Sequence, residues 1–514
     1  MQGVYAGCIM LTEVQKKAEA DLKLWEAKEQ GARAVHSNTV SDDTTQSEQK
    51  QHDLLDSFIR TTRHKTKDGI WIEGAIHLEH GPIAAYLHEL YHTISFNKML
   101  FIYDKETGIY RQNAGDLEEE IRHIIESTSA KCSITRDSRD ILAYITATNR
   151  KLRYPFNQHK DALPLKNGIL KLNFETMTAE LIPHSPGYIF TFQLPIIYDE
   201  KATGEIFHKS VISQYVDAEF VDALYQIPAQ AILQALGIGP FKKSYILQGN
   251  ADGGKTSYLA WLHALFGLEN VGHVSLHQIG TDPFVNADLE SRILNTFDDL
   301  ADVPLQNIGP FKAMTGGFDF PINKKHMQRY NGRIFAVHAF TCNAPPDVPE
   351  KILFDSAFWS RWEYLHFDNV FPIDPNFTAR TFTQKNLSGS FNRVIEMVFR
   401  IAKNGLVVNN TPSEVKDIWQ LAADPFAQFI SEHLPASSSE HKFDKEHLLV
   451  SFQAYCKEKE INDRKIPSSQ KGLTTMAFKN GFKDARTGKK SERRWVYSAY
   501  RDWNPSSQYR ESRT

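Results

Sequence analysis

The segment that most restricts the possible folds is a short apolar run, Tyr245-Ile246-Leu247-Gln248, leading into Gly249-Asn250-Ala251-Asp252-Gly253-Gly254-Lys255-Thr256 and then Ser257-Tyr258-Leu259-Ala260. It matches G-x-x-x-x-G-K-[ST] in a strand–loop–helix setting. Glycines in such a loop let successive backbone N–H groups turn inward around phosphate oxygens, and the helix N-terminus adds positive potential. Gly249, Asn250, Ala251, Asp252, Gly253, Gly254, Lys255, Thr256 and Ser257 are therefore the expected nucleotide-binding set. Lys255 is expected to project from a solvent-facing loop to the β- and γ-phosphates of ATP, and Thr256 to ligate Mg²⁺ through its hydroxyl. From about residue 206 to 375, strand and helix patterns alternate around this loop, which predicts an α/β core.

Nucleotide hydrolysis also needs a strand that ends in carboxylates, and Ile293-Leu294-Asn295-Thr296-Phe297-Asp298-Asp299 supplies one. An apolar strand with two terminal acids is commonplace alone; its place after a phosphate loop gives it meaning. Asp298 is expected to hold Mg²⁺ through its water shell, and Asp299 to polarise the attacking water. Many such enzymes carry Glu at the second position, whereas this chain has the shorter Asp. Next come Phe311-Lys312-Ala313-Met314-Thr315-Gly316-Gly317, a turn at Phe320-Pro321, Asn323-Lys324-Lys325-His326, and an apolar strand, Ile334–Phe340, running into Thr341-Cys342-Asn343. A polar residue ending that strand can bond the γ-phosphate or the lytic water. Finally, Asp355-Ser356-Ala357-Phe358-Trp359-Ser360-Arg361-Trp362 precedes an apolar run through Phe367. Phe358, Trp359 and Trp362 are expected to anchor this piece and leave Arg361 free to project outward.

This order of motifs resembles the superfamily 3 helicases, specifically the D5-like branch of virus and plasmid primase-helicases. The resemblance implies an AAA+ domain that assembles into hexamer-like rings and uses ATP and Mg²⁺ to translocate on DNA. By motif it makes Lys255 and Thr256 the first nucleotide motif, Asp298 and Asp299 the second, and Asn343 the sensor. It places Lys324, Lys325 and His326 on a DNA-contacting hairpin and makes Arg361 an arginine finger acting on a neighbouring subunit. Upstream, KNGILKL (166–172), ELIPHSPGYIF (180–190) and LPIIYD (194–199) resemble the D5 N-terminal region, and residues 420–505 resemble its winged-helix end. The implied fold class is α/β: an AAA+ P-loop core with an α+β N-terminal region and a C-terminal winged-helix-like domain. Many relatives also carry a primase-polymerase domain with an Asp-x-Asp metal pair. Residues 1–205 contain no such pair, so a separate primase or polymerase is the expected partner.

At 514 residues the chain is too long for one core. Its pattern divides into 1–53 (a polar helix over 11–30 and a linker over 36–52), 54–205 (D5 N-terminal-like), 206–405 (ATPase) and 406–514 (winged-helix-like). In 54–205, strands are expected at Met99–Asp104 and Gly108–Tyr110, a helix at Asp116–Ile125, and a hairpin at Leu163–Leu172 turning at Asn167-Gly168 and continuing through Met177–Ile182. The last hundred residues read as a small helical domain ending in a hairpin, Phe482–Arg486 and Trp495–Tyr497, about a turn at Thr487-Gly488-Lys489-Lys490. The chain's formal charge is only −3, so any pull on nucleic acid must be local. Residues 463–514 carry 13 Lys/Arg against 5 Asp/Glu, a net of +8, enough to face phosphates. The four cysteines form no CxxC pair, which argues against a zinc ribbon or disulfide framework. Neither a signal peptide nor a membrane span is read, so the expected location is cytosolic, or nuclear in a eukaryotic host.

Two competing readings exist. His88-Glu89-Leu90-Tyr91-His92 is an HExxH, the zinc-protease pattern, with a third ligand to be sought from Glu118 to Glu120. Ala85, Leu87, Tyr91 and Ile94 around it look like core contacts, which makes a structural role the expectation. The other reading keeps the ATPase and changes its track to RNA or to packaging, because charge on a hairpin does not distinguish DNA from RNA; the winged-helix-like end favours DNA.

Overall fold

The computed structural model describes residues 55, 57–112, 115–128, 132–282, 284–323, 330–459, 461, 465–487, 494–504 and 506–509. Its centre is a five-stranded sheet: β1 (Ser244–Gln248), β2 (Val271–Gly272), β3 (Leu294–Phe297), β4 (Val337–Cys342) and β5 (Trp362–His366), in spatial order β2-β3-β4-β1-β5. Every adjacent pair is parallel. Parallel strands are covered on both faces and so read as unbroken apolar runs; β4 is buried at all six positions. Cys342 pairs with Gln248 and Phe340 with Phe297. This register brings the loop after β1, the acids after β3 and Asn343 after β4 to one edge, the carboxyl end where open α/β sheets bind ligands.

Helices α1 (Val221–Ala235), α2 (Lys255–Phe266), α3 (Gly309–Thr315) and α4 (Gln384–Asn404) accompany the sheet. Along α4, Phe391, Val394, Ile395, Val398 and Ile401 recur at three- and four-residue steps and are buried, the stripe expected of a helix on a core. Thr383 caps α4 by accepting the Asn386 N–H at 3.3 Å. The same core takes in Leu163, Leu165, Leu170, Leu172, Leu194 and Ile196. Apolar packing is therefore continuous across residue 205.

The upstream region has strands Met99–Asp104 and Ile109–Arg111, a helix Gly115–Ser127, and an antiparallel sheet of Ala162–Leu165, Gly168–Asn173 and Thr178–Ile182, all at positions the sequence indicated. Helices His80–Tyr91 and Ile134–Thr148 complete a small core around Ile83, Leu87, Leu117, Ile121, Ile141 and Ile145. Phe320-Pro321, expected as a turn, lies instead in a strand, Phe320–Ile322, paired with Tyr330–Gly332. The expected helix over 11–30, the linker over 36–52, Lys324, Lys325, His326 and the turn at Gly488-Lys489-Lys490 lie outside the described residues.

At the C-terminal end, helix Pro412–Ala423 inserts Trp419 into the packing beneath the sheet. Its ring sits 5.3 Å from Trp362 and its indole N–H donates to the Pro346 carbonyl at 2.8 Å. A separate core joins helices Pro425–His433, Lys445–Glu458 and Gln470–Lys479 to a three-stranded sheet of Ala436–Asp444, Arg494–Arg501 and Lys483–Thr487. Among the described residues no helix is long and apolar enough to cross a membrane.

Candidate nucleotide-binding site

The loop from β1 to α2 encloses Lys255 rather than exposing it. Lys255 is only 8% exposed, a correction to the solvent-facing position expected from sequence. Its ammonium donates to the carbonyls of Gly249 and Asn250, each at 2.6 Å, and to Asn343 Oδ1 at 3.0 Å. The cause is the register: β4 lies beside β1, so Asn343 faces the phosphate loop. Burial pulls the Lys255 ammonium below the usual lysine range, and the carboxylates of Asp298, Asp299 and Asp252 oppose that pull.

Two glycines are there for close approach. A Cβ on Gly249 would lie 2.2 Å from the Phe367 carbonyl oxygen. Gly254 has φ +86°, and a Cβ there would meet the Tyr215 ring at 2.4 Å. Only glycine relieves both the left-handed backbone and the contact. Tyr215, stacked on Phe367 at 5.7 Å, forms the floor beneath the loop.

Next to the loop, Thr256 Oγ1 donates to Asp298 Oδ2 at 2.8 Å, and the Thr341 hydroxyl donates to the other oxygen of Asp298. Asp299 sits at φ +56° and donates its N–H to Thr341 Oγ1 at 2.8 Å. A short polar residue tolerates that left-handed conformation. Burial raises the Asp299 carboxyl above the usual carboxylate range, and the adjacent Asp298 raises it further. Burial likewise pushes the Cys342 thiol up to about 12, so it stays protonated. The cluster of Thr256, Asp298 and Asp299 is a set of hard oxygen donors of the kind a hydrated Mg²⁺ takes.

Ala251 to Ser257, Asp298, Asp299, Thr341 and Asn343 line a cavity of about 560 Å³, within the size range of small-ligand sites. Two further pieces of the wall escape any motif: Ser210, Val211, Gln214 and Tyr215 from before α1, and Phe371 to Asp374 with Phe377 and Arg380 from after β5. Asn369 and Asp252 tie the second piece down, through Asn369 Nδ2 to the Gln214 carbonyl at 2.7 Å and the Phe371 N–H to the Asp252 carbonyl at 3.0 Å. Arg380 pairs with Asp374 at 2.7 Å.

Arg361 is not among the lining residues. Nor does it project freely, as the sequence suggested. Its Nε donates to Thr315 Oγ1 at 2.8 Å, Nη2 to the Lys312 carbonyl at 3.2 Å and Nη1 to the Ala357 carbonyl. The reason is α3, whose C-terminal carbonyls attract a cation just where Lys312 has already claimed Asp355 at 2.5 Å. The HExxH is also rearranged by local structure. Its helix stops at Tyr91, and His92 takes a left-handed conformation (φ 47°), so His88 and His92 do not share a helical face. His88 Nδ1 pairs with Thr93 Oγ1 at 3.0 Å, and the His92 ring packs on Tyr103. Among the described residues, no cluster of three or more His, Cys, Asp or Glu could hold a metal ion.

Comparison with known proteins gives two partial matches. Residues 18–214 match the family model described as D5 N terminal like. Residues 247–357, which hold the Lys255 loop, Asp298, Asp299, Thr341 and Asn343, match a family of unknown function, DUF5906. No curated protein matches the chain. Among solved structures, an A form apo structure of the NrS-1 C terminal region (305–718) is 13% identical, with a TM-score of 0.37, covering 78% of this chain and 86% of that one. A second apo structure of that region is again 13% identical with a TM-score of 0.37, covering 81% of this chain and 99% of its own.

Proposed function

We propose that this chain is an ATP-hydrolysing motor, the helicase component of a viral, plasmid or integrated-element replication system, working on DNA as a ring oligomer. The observation that carries the ATPase reading is the juxtaposition of Lys255 on the loop carbonyls and Asn343 with the Thr256–Asp298–Thr341 chain, all at one cavity mouth. A strand order with the phosphate loop on the strand between β4 and β5 supports an AAA+ core. Thr256 and Asp298 would hold Mg²⁺, which supplies charge neutralisation across the β- and γ-phosphates. Lys255 exchanges its carbonyl partners for phosphate oxygens. Asp299, made more basic by burial and by Asp298, accepts a hydrogen bond from the attacking water, and Asn343 orients that water or the γ-phosphate. Arg361, held at the end of α3, presents the rest of its fork to the cavity of an adjoining subunit, where a planar, permanently charged group suits phosphate. Lys324, Lys325 and His326 supply the moving DNA grip, and the C-terminal helices and three-stranded sheet act as a winged-helix-like DNA-binding module. A primase or polymerase would be a separate chain.

ATP turnover measured with and without single-stranded DNA, alongside mass determination with a non-hydrolysable nucleotide, tests this. DNA-stimulated hydrolysis by an oligomer is expected. A purified, folded chain with no turnover under either condition overturns the reading.

A further inference from the structure

The nucleotide site and the residues Lys324, Lys325 and His326 leave a second cationic surface unused, on the upstream region. Residues 94–103 and 141–160 contain five Lys/Arg (Lys98, Arg150, Lys151, Arg153, Lys160) and no Asp or Glu. The fold brings the two segments together. Ser95 forms a parallel bridge with Arg150, the Lys151 N–H donates to the Ser95 carbonyl at 2.7 Å, and the Ser95 N–H donates to the Asn149 carbonyl at 3.1 Å. The Phe96 ring then meets Tyr154 edge-on at 5.5 Å, with Phe156 closing the cluster at 5.6 Å from Tyr154. This contact sets the Asn97-Lys98 turn beside the extended strip Arg150–Tyr154.

Arg150, Lys151, Arg153 and Lys98 are all exposed, and among the described residues none of them is in an ion pair, although many other exposed cations of the chain are. Tyr154 is held upright by its two aromatic neighbours and still shows half its surface; Leu152 beside it is 85% exposed. Unpaired cations interleaved with an upright aromatic ring are the elements of single-strand recognition, in which phosphates track the charges and bases stack on the ring. The strip is irregular backbone, with no helix or two-stranded ribbon to enter a major groove. A duplex would meet the charges alone, and its paired bases would not reach Tyr154.

We infer that the strip Arg150–Tyr154, with Lys98, binds the backbone of single-stranded nucleic acid and stacks a base on Tyr154, at a site separate from the ATPase centre. Binding at this strip depends on surface charge and shape and does not require ATP hydrolysis.

The test is fluorescence anisotropy of the full chain with a labelled oligo-dT and with a duplex of equal length, without nucleotide, over a salt series. The wild type is expected to prefer the single strand. Substituting Arg150→Gln, Lys151→Gln and Arg153→Gln together should lower the slope of log affinity against log salt by about 2, since single-strand contacts contribute about 0.7 each. Tyr154→Ser should weaken oligo-dT about tenfold, the scale of one base–aromatic stack, while Tyr154→Phe keeps the affinity. Far-UV circular dichroism and thermal melting establish that the variants fold. An unchanged slope and affinity in the folded triple variant, no wild-type preference for the single strand, or equal loss in Tyr154→Phe and Tyr154→Ser overturns the inference; an acidic protein partner is then the remaining occupant for the charges. Because nucleotide is absent, a chain that fails to hydrolyse ATP can still support this surface, and one that hydrolyses ATP can still refute it.

Discussion

Replacing Lys255 with alanine separates what the phosphate loop does for ATP from what it does for the fold. The ammonium satisfies two backbone carbonyls and Asn343 from a position that is nearly buried. A lysine projecting into solvent would cost almost nothing to remove. This one makes three bonds from a charged donor, and such bonds are worth about 1.5–3 kcal/mol each when both partners are sealed from water. Two facts reduce the total. Asn343 lines the cavity and can take water in place of the ammonium, and burial already disfavours the charged lysine. A net loss of about 1–3 kcal/mol follows. Against that modest cost to the fold, turnover loses a preorganised charge at the phosphates, an effect of about a hundredfold to a thousandfold. Lys255→Met, which keeps the stem's packing, should recover part of the stability and none of the turnover. The assays are phosphate release under saturating ATP and Mg²⁺, and denaturant unfolding of both variants. Turnover within about tenfold of wild type, a change of only ~1.4 kcal/mol in the barrier, in a folded Lys255→Ala chain would refute the phosphate-loop argument.

Three further outcomes follow from the same geometry. Mixing Arg361→Ala subunits with Lys255→Ala subunits should restore turnover, because some mixed interfaces regain both groups and a finger contributes about a thousandfold or more; no rescue in rings shown by mass to be mixed would confine Arg361 to its own chain. The double change Lys325→Ala and His326→Ala should cost DNA-stimulated turnover and flatten the salt dependence of DNA binding by about 1 per lost cation, whereas unchanged affinity and slope would remove these residues from the DNA path. Because the Asp299 carboxyl is raised by burial and by Asp298, its anion is lost at a higher pH than for an ordinary aspartate. The acidic limb of kcat against pH should therefore lie above the normal carboxylate range and vanish in Asp299→Asn, together with about a hundredfold or more of the rate; a limb at or below that range would exclude Asp299 as the group responsible.

A glycine-rich loop between a strand and a helix follows a local grammar, so β1, its loop and the start of α2 could be read residue by residue from 245 to 260. The strands carrying Asp298 and Asn343 were legible because parallel strands covered on both faces appear as apolar runs that end abruptly in polar residues. The burial of Lys255 was not, since it depends on β4 lying beside β1, and strand order is not written in any one segment. The same holds for the Ser210–Tyr215 and Phe371–Arg380 walls, which reach the cavity only by folding back over the loop. Arg361 misled because a hydrophobic anchor on either side says nothing of the carbonyls at the end of α3. Strand Ala436–Asp444 escaped notice because ASSSEHKFD buries little and pairs mainly through its backbone.

The seat of Trp419 bears on how this protein can be cut into pieces. The sequence places the start of the C-terminal segment near residue 406, yet the helix that follows plugs its indole among Phe358, Trp359 and Trp362. A fragment ending before Pro412 would uncover a cluster of aromatic rings, the kind of oily surface that makes a truncated protein precipitate. Moving the end to just after Ala423 retains the plug and releases only the part with a core of its own. A soluble, monodisperse fragment is thus a matter of keeping about a dozen extra residues, and its behaviour would report directly on how much of the chain's solubility that one indole secures.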